Sequence, residues 1–205
     1  MKNDYSFLKY VYFSRWVSYW HQIDEVLKLR PESVLLVGAG DKIVSRVISE
    51  YVSKVITLDV DESVSPDIIA SVEKMPLEDG SYDVILCAEV LEHLSFDKFE
   101  VCLNEINRVA GKHVVLSLPH FGPAVKINFK LPLLPEFKIA AKIPFPMTHR
   151  FNGKHYWEIG KKGYSLKKIK RMIKQYFKIE NDFIPFENQY HHFFVLDKIR
   201  EHGTT

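Results

Sequence analysis

Residues 33–60 read SVLLVGAGDKIVSRVISEYVSKVITLDV, and this stretch decides the fold. Val34 to Val37 is an apolar run broken sharply by Gly38-Ala39-Gly40. Asp41 or Gly40 can open a helix that sets Val44, Val47, Ile48 and Tyr51 on one face. KVITLDV then reads as a second strand ending at Asp59. Strand, turn, helix and strand of this length make a βαβ unit. At such a turn, missing Cβ atoms let backbone amides at a helix N-terminus approach a ligand. Asp59 lies roughly twenty residues past the glycines, the interval of a carboxylate that accepts both ribose hydroxyls. Singly, the glycines read as a tight turn and Asp59 as a loop acid; in this order they favour a nucleoside cofactor. A dinucleotide turn needs a small residue where Ile43 stands, and its branched side chain disfavours NAD or FAD.

The pattern continues outward. Trp16, Trp20, Ile23 and Leu27 recur at helical spacing, so about Phe7 to Lys28 reads as one or two amphipathic helices ending at Pro31. Ile68 to Ala70 is a short third strand and YDVILCAEV a nearly all-apolar fourth, as expected where helices cover both faces. Phe96 to Ala110 reads as a helix with Phe99, Leu103, Ile106 and Ala110 inward, closed by Gly111. HVVLSLP is the fifth strand. SLKKIKRMIKQYF is a basic helix with Leu166, Ile169, Ile173 and Phe177 inward, and KIENDFIPFE and QYHHFFVLDKI read as a closing strand pair. The expectation is α/β and Rossmann-like: a mainly parallel sheet, helices on both faces and a C-terminal antiparallel pair. It comprises one domain over 1–205: a helical segment 1–30, a cofactor-binding core 31–120, an insertion and substrate wall 121–163, and closing elements 164–205.

Composition narrows the class. At 205 residues, 46% hydrophobic and 26% charged, the chain suits a globular domain with a substantial core. A net charge of +2 does not mark a nucleic-acid binder. Cys87 and Cys102, the only cysteines, read as reduced core thiols. MKNDYSFLKYVYFSRW is broken by Lys9 and Arg15, unlike a signal peptide, and no apolar run is long enough to span a membrane. A cytoplasmic location is expected.

VLLVGAG, TLDVD, VEKMPLEDGSYDVILCAEVLEHL and HVVLSLP together resemble the class I S-adenosylmethionine-dependent methyltransferases, in their small-molecule branch. The resemblance covers about Val34 to Pro119, and EKMPLEDGSYDVILCAEVLEHL is its most specific part. It implies S-adenosylmethionine as cofactor. Gly38, Ala39 and Gly40 would face the methionine moiety and nucleoside, Asp59 the ribose and Val60 the adenine. Val72 and Glu73 would border the adenine, with Ser71 where the family often has an aspartate. Ala88 and Glu89 would line the methionine end. Two departures stand out: Leu36 replaces the usual acid, and Lys42 replaces a third glycine. Lys42 is then expected near the cofactor carboxylate. The same departures motivate an alternative, a non-catalytic cofactor-binding or scaffold domain of this fold.

A sulfonium methyl is already activated, so the protein must align a nucleophile and, for an oxygen or nitrogen acceptor, remove its proton. His93 after strand four and His120 after strand five are the expected bases. His149, Arg150, His155, Tyr156 and Trp157 form a dense polar and aromatic loop suited to a substrate wall, with a weak likeness to methyltransferases of surface-glycan assembly. The expected acceptor is a small molecule, with a sugar, glycan precursor or lipid-linked glycan in view. No metal site is expected: His149 and His155 lack a ligand spacing, and His191-His192 point to opposite strand faces. Phe121 to Met147 is proline-rich and apolar, carries four lysines, and shows no regular pattern. It reads as a lid, as a peripheral membrane contact or as a packing arm.

Overall fold

The computed structural model describes residues 12–199. Helix α1 (Phe13–Lys28) leads into β1 (Ser33–Val37), α2 (Ile43–Ser49), β2 (Lys54–Asp59), β3 (Ile68–Ile69) and β4 (Tyr82–Ala88). Then come α3 (Phe99–Val109), β5 (Ala110–Pro119), β6 (Ala124–Phe129), β7 (Phe137–Lys142), α4 (Leu166–Ile173), β8 (Phe177–Phe183) and β9 (His191–Lys198). Seven strands form one sheet in the order β3-β2-β1-β4-β5-β9-β8. The first five are parallel, while β9 pairs antiparallel with both β5 and β8. The fold is thus α/β and Rossmann-like, closed by the antiparallel pair that the sequence foretells.

Alternation along each strand sorts its side chains into two cores. Val34 and Leu36 of β1, Val84 and Leu86 of β4, and Val115 of β5 pack with Tyr19 and Val26 of α1 and Ile48 of α2. Leu35, Val37, Ile85, Cys87, Val114 and Leu116 face the other way, onto Phe99, Leu103 and Ile106 of α3 and Ile169 and Ile173 of α4. Cys87 and Cys102 are buried free thiols. Asp83 ties two strands at their start: its Oδ2 accepts from the amides of Glu32 at 2.9 Å and Ser33 at 3.2 Å.

Three expectations change. Helix α1 buries Ser18, Tyr19, Gln22 and Val26, while Trp16 and Trp20 are exposed. The aromatic stripe therefore faces out, and a partly polar face turns in. Gly111 does not cap α3, because the helix passes directly into β5 at Ala110. It is small for another reason: a Cβ there would lie 3.0 Å from the Tyr82 carbonyl oxygen and 3.1 Å from that of Gly80. Phe121 to Met147 is not patternless, since β6 and β7 pair as an antiparallel hairpin, Val125 opposite Ala141, Ile127 opposite Ile139 and Phe129 opposite Phe137. That part of the N-terminal helical expectation preceding Tyr12 lies outside the described residues.

Candidate cofactor and acceptor site

The carboxyl ends of parallel strands are where open α/β sheets bind ligands. Here β1, β2 and β4 end on a cavity of about 420 Å³, within the usual range for a small-molecule site. Gly38, Ala39 and Gly40 form one wall, Asp59 and Val60 another, Ala70 to Val72 a third, and Ala88 to Val90 with His93 and Leu94 a fourth. Helix α1 closes it with Arg15, Ser18, Tyr19 and Gln22.

The end bounded by Gly38 to Gly40 and Asp59 is preformed. Gly38 holds φ +89, and a Cβ on it would meet Val90 Cγ2 at 2.6 Å, so the turn tolerates no side chain. Asp59 spans the two loops: its Oδ2 accepts from the Ala39 amide at 2.8 Å, its Oδ1 from the Asp61 amide at 2.9 Å. Asp41 accepts from the Ile43 amide at 3.1 Å and from the Tyr19 hydroxyl at 2.6 Å, locking α1 to the start of α2. A bare glycine turn, a fixed carboxylate and the apolar Val60, Ala70 and Val72 together fit a nucleoside with a zwitterionic tail.

The opposite end is polar and buried. Glu89 takes the left-handed conformation at φ +55, a strained geometry that concentrates at functional sites. Its Oε1 accepts from the Ser117 hydroxyl at 2.9 Å, and its Oε2 lies 3.4 Å from His191 Nε2. His191 Nδ1 in turn accepts from Ser18 Oγ at 2.5 Å. Burial pushes the Glu89 carboxyl up to about 8 and the His191 imidazole down to about 3. His93 donates from Nδ1 to the Lys154 carbonyl at 3.0 Å, which leaves Nε2 as its lone-pair atom.

Several expected residues lie elsewhere. Lys42 is not on the cavity wall: it takes φ +63 and its ammonium donates to the Ser65 carbonyl. Arg15, from α1, is the cation that lines the cavity. Glu73 is also off the wall, pairing with Lys98 at 3.2 Å. His120 is buried away from it, its Nδ1 3.0 Å from His192 Nδ1, because residue 120 still pairs with Ile159 as a bridge. Trp157 is core: it has no exposed surface, donates from Nε1 to the Leu94 carbonyl at 3.2 Å and packs edge-on against Phe96 and Phe99. His149, Arg150, His155 and Tyr156 do not line the cavity, but their loop abuts it, since the Tyr156 amide donates to the Glu92 carbonyl at 2.8 Å. Sequence reasoning missed Arg15, Ser18, Tyr19, Gln22, Asp41 and His191. The spacing 15, 18, 19, 22 is a helical face, and its polar members were the available clue.

Residues 35–117 match the family described as "Methyltransferase domain". Among solved structures, the chain is similar to the N-methyltransferase NodS of Bradyrhizobium japonicum WM9 in complex with S-adenosyl-L-homocysteine. The TM-score is 0.66 at 8% identity, covering 97% of this chain and 94% of that one. It is also similar to the 1,6-didemethyltoxoflavin-N1-methyltransferase of Burkholderia thailandensis, with TM-score 0.60, 13% identity, and 91% and 81% covered. An S-adenosylmethionine-dependent methyltransferase of Mesorhizobium loti aligns with TM-score 0.59, 16% identity, and 91% and 98% covered. At these identities the likeness is one of fold. No curated protein matches the chain by sequence.

Proposed function

We propose that the chain is a class I S-adenosylmethionine-dependent methyltransferase, a reading supported by its matched domain and its fold, and that it methylates an oxygen or nitrogen of a small molecule held at the Glu89–His191 end of the cavity. The observation that carries this reading is the continuity of one cavity from Gly38–Gly40 and Asp59 to Glu89, His93 and His191. Gly38, Ala39, Gly40 and Asp59 would hold the cofactor's methionine and ribose, with Val60 and Val72 beside the adenine. Arg15 takes the part expected of Lys42, a cation toward the carboxylate. When bound, the cofactor supplies a methyl carbon on sulfonium: the acceptor lone pair forms the new bond while the carbon–sulfur bond breaks and leaves its electron pair on sulfur. Glu89 is the acceptor's base, held in place by Ser117 and His191, and His93 turns Nε2 toward the acceptor. His120 does not line the cavity, so the task is not assigned to it.

Calorimetry with S-adenosylmethionine and S-adenosylhomocysteine tests the reading. The folded chain should bind both, and Asp59→Ala should weaken both at least about tenfold. No binding by the folded protein would sink it. Methyl transfer to any acceptor in a panel of hydroxyl and amine compounds would dispose of the non-catalytic alternative.

A sugar or glycan precursor is the favoured acceptor class. Phe151 and Tyr156 form an exposed aromatic pair, ring centroids 4.7 Å apart, on the loop that His93 touches through Lys154, and aromatic faces suit sugar rings. A lipid-linked acceptor is the second reading, supported by the β6–β7 hairpin. One face of that hairpin carries Val125, Ile127, Phe129, Phe137 and Ile139, all exposed. The lysine-bearing face leans on the body, with Lys138 3.2 Å from Glu187 and Lys126 4.9 Å from the Phe186 ring centroid.

A further inference from the structure

Glu92 has no exposed surface, no N–H or hydroxyl donor reaches its carboxylate oxygens, and the one side chain they meet is another acid, Glu89. Buried carboxylates are ordinarily paired or bound to a metal. Here the charges that act on Glu92 are those of two further acids, Glu89 and Glu158. One ligand atom each from Glu92, His93 and His155 lie within 4.8 Å of one another. The two imidazoles meet edge to face with centroids 5.1 Å apart.

Both rings are oriented from behind. His93 donates from Nδ1 to the Lys154 carbonyl at 3.0 Å. His155 donates from Nδ1 to Glu158 Oε1 at 3.1 Å, and Glu158 also accepts from the Tyr190 hydroxyl at 2.9 Å. A carbonyl or carboxylate behind one ring nitrogen fixes the tautomer that leaves Nε2 as a ligand, the arrangement found behind metal-binding histidines. The geometry points to a divalent transition-metal site made by Glu92, His93 and His155, at the edge of the cavity that His93 also lines. Two imidazoles and a carboxylate suit Mn²⁺, Co²⁺ or Zn²⁺ better than Mg²⁺ or Ca²⁺, which prefer oxygen alone.

The role deepens the methyltransferase reading and rests on it. Three protein ligands leave coordination positions open, and an acceptor hydroxyl can take one of them. A coordinated hydroxyl loses its proton more readily, and the proton passes to Glu89. The oxygen then forms its bond to the methyl carbon as the sulfonium carbon–sulfur bond breaks onto sulfur. The cation changes neither oxidation state nor number.

The test uses the full chain without a polyhistidine tag, stripped by chelator. Co²⁺ alone, followed by its visible absorption, and Mn²⁺ alone, followed by calorimetry, should each bind once per chain and raise the melting temperature. Glu92→Gln and His155→Ala should each weaken binding at least tenfold, while His113→Ala leaves it unchanged. Without metal, Glu92→Gln, which keeps the shape and leaves an N–H donor toward Glu89, should melt no lower than the parent; a purely structural Glu92 would make it melt lower. Absence of saturable binding, or equal binding by Glu92→Gln, overturns the site. S-adenosylhomocysteine affinity, measured on the same samples, reports the cofactor reading separately, so one can fail while the other stands.

Discussion

Gly38 concentrates two demands in one residue. Its φ of +89 lies where side chains are strained, and the nearest atom to a Cβ would be Val90 Cγ2 at 2.6 Å. Gly38→Ala must therefore displace either the turn or the Val90 side chain, and both line the cavity. We expect S-adenosylhomocysteine affinity to fall at least about tenfold by calorimetry, with little loss of secondary structure by circular dichroism. The paired imidazoles of His120 and His192 make a second prediction. Asp182, which Lys170 holds at 2.7 Å, accepts from His192 Nε2 at 3.0 Å. His192 Nδ1 is then the acceptor, and His120 Nδ1 donates to it at 3.0 Å. Burial holds His120 at about 3 and His192 at about 4, below the 6.5 of an ordinary imidazole. Between pH 6.5 and these values the unfolded chain binds more protons, so stability is full above pH 6.5 and falls as pH drops through the window. Urea denaturation should show a loss of about 1–2 kcal/mol per ring between pH 7 and pH 5. His192→Gln keeps an amide acceptor and donor in place, so its pH slope should be shallower, and an equal slope would exclude this pair as the cause.

At the scale of elements, the hairpin and the first helix carry the lesson. The exposed apolar face of β6 and β7 runs on into a tip where Leu131, Leu133 and Leu134 are exposed beside Lys130. A hairpin of this kind can dip its apolar face below anionic headgroups while Lys130 at its tip stays at their level. The full chain should co-sediment with phosphatidylcholine vesicles containing about a third phosphatidylserine, less so with phosphatidylcholine alone. Ile127→Asp with Leu133→Asp should abolish that binding and leave cofactor affinity intact; unchanged sedimentation would refute the membrane role. The hairpin escaped the sequence pattern because its alternation is short and interrupted by prolines at its tip and flanks. Helix α1 was visible, but of its expected face only Ile23 and Leu27 pack on the core, while Trp16 and Trp20 are exposed. Its buried face covers the cavity as well as a core, so it carries Arg15, Ser18 and Gln22 beside Tyr19 and Val26, where an apolar stripe would be sought.

For the whole molecule, the insertion loop and the sheet are one packing problem. Trp157 fills the second core between Phe96, Phe99 and Tyr164, with no exposed surface. It thereby anchors the loop bearing His155 and Glu158 against the residues that follow β4. Trp157→Ala should cost about 3–5 kcal/mol, measured by urea denaturation. It should also weaken metal binding at Glu92, His93 and His155 by loosening the third ligand. A loss of stability below about 1 kcal/mol would mean that Trp157 is not the anchor described.

Local order was enough to determine the βαβ unit, the parallel strands and the closing pair. Period-two and period-3.6 patterns and the glycine turn are properties of neighbours along the chain. The place of Gly38, Gly40, Asp59 and Glu89 on the cavity wall was legible for the same reason: each stands at the end of a strand, where topology alone brings it to the cavity. The rest depended on which segments meet across the fold. Glu92 and His155 are more than sixty residues apart, and their spacing means nothing until Trp157 docks the loop. Arg15 and His191 reach the cavity only because α1 crosses it and β9 inserts beside β5. Burial then decides their chemistry, since removal from water moved the Glu89 and His191 protonation equilibria in opposite directions. No pattern of residues along the chain encodes that desolvation; it exists only once the sheet, the helix and the loop have closed on one another.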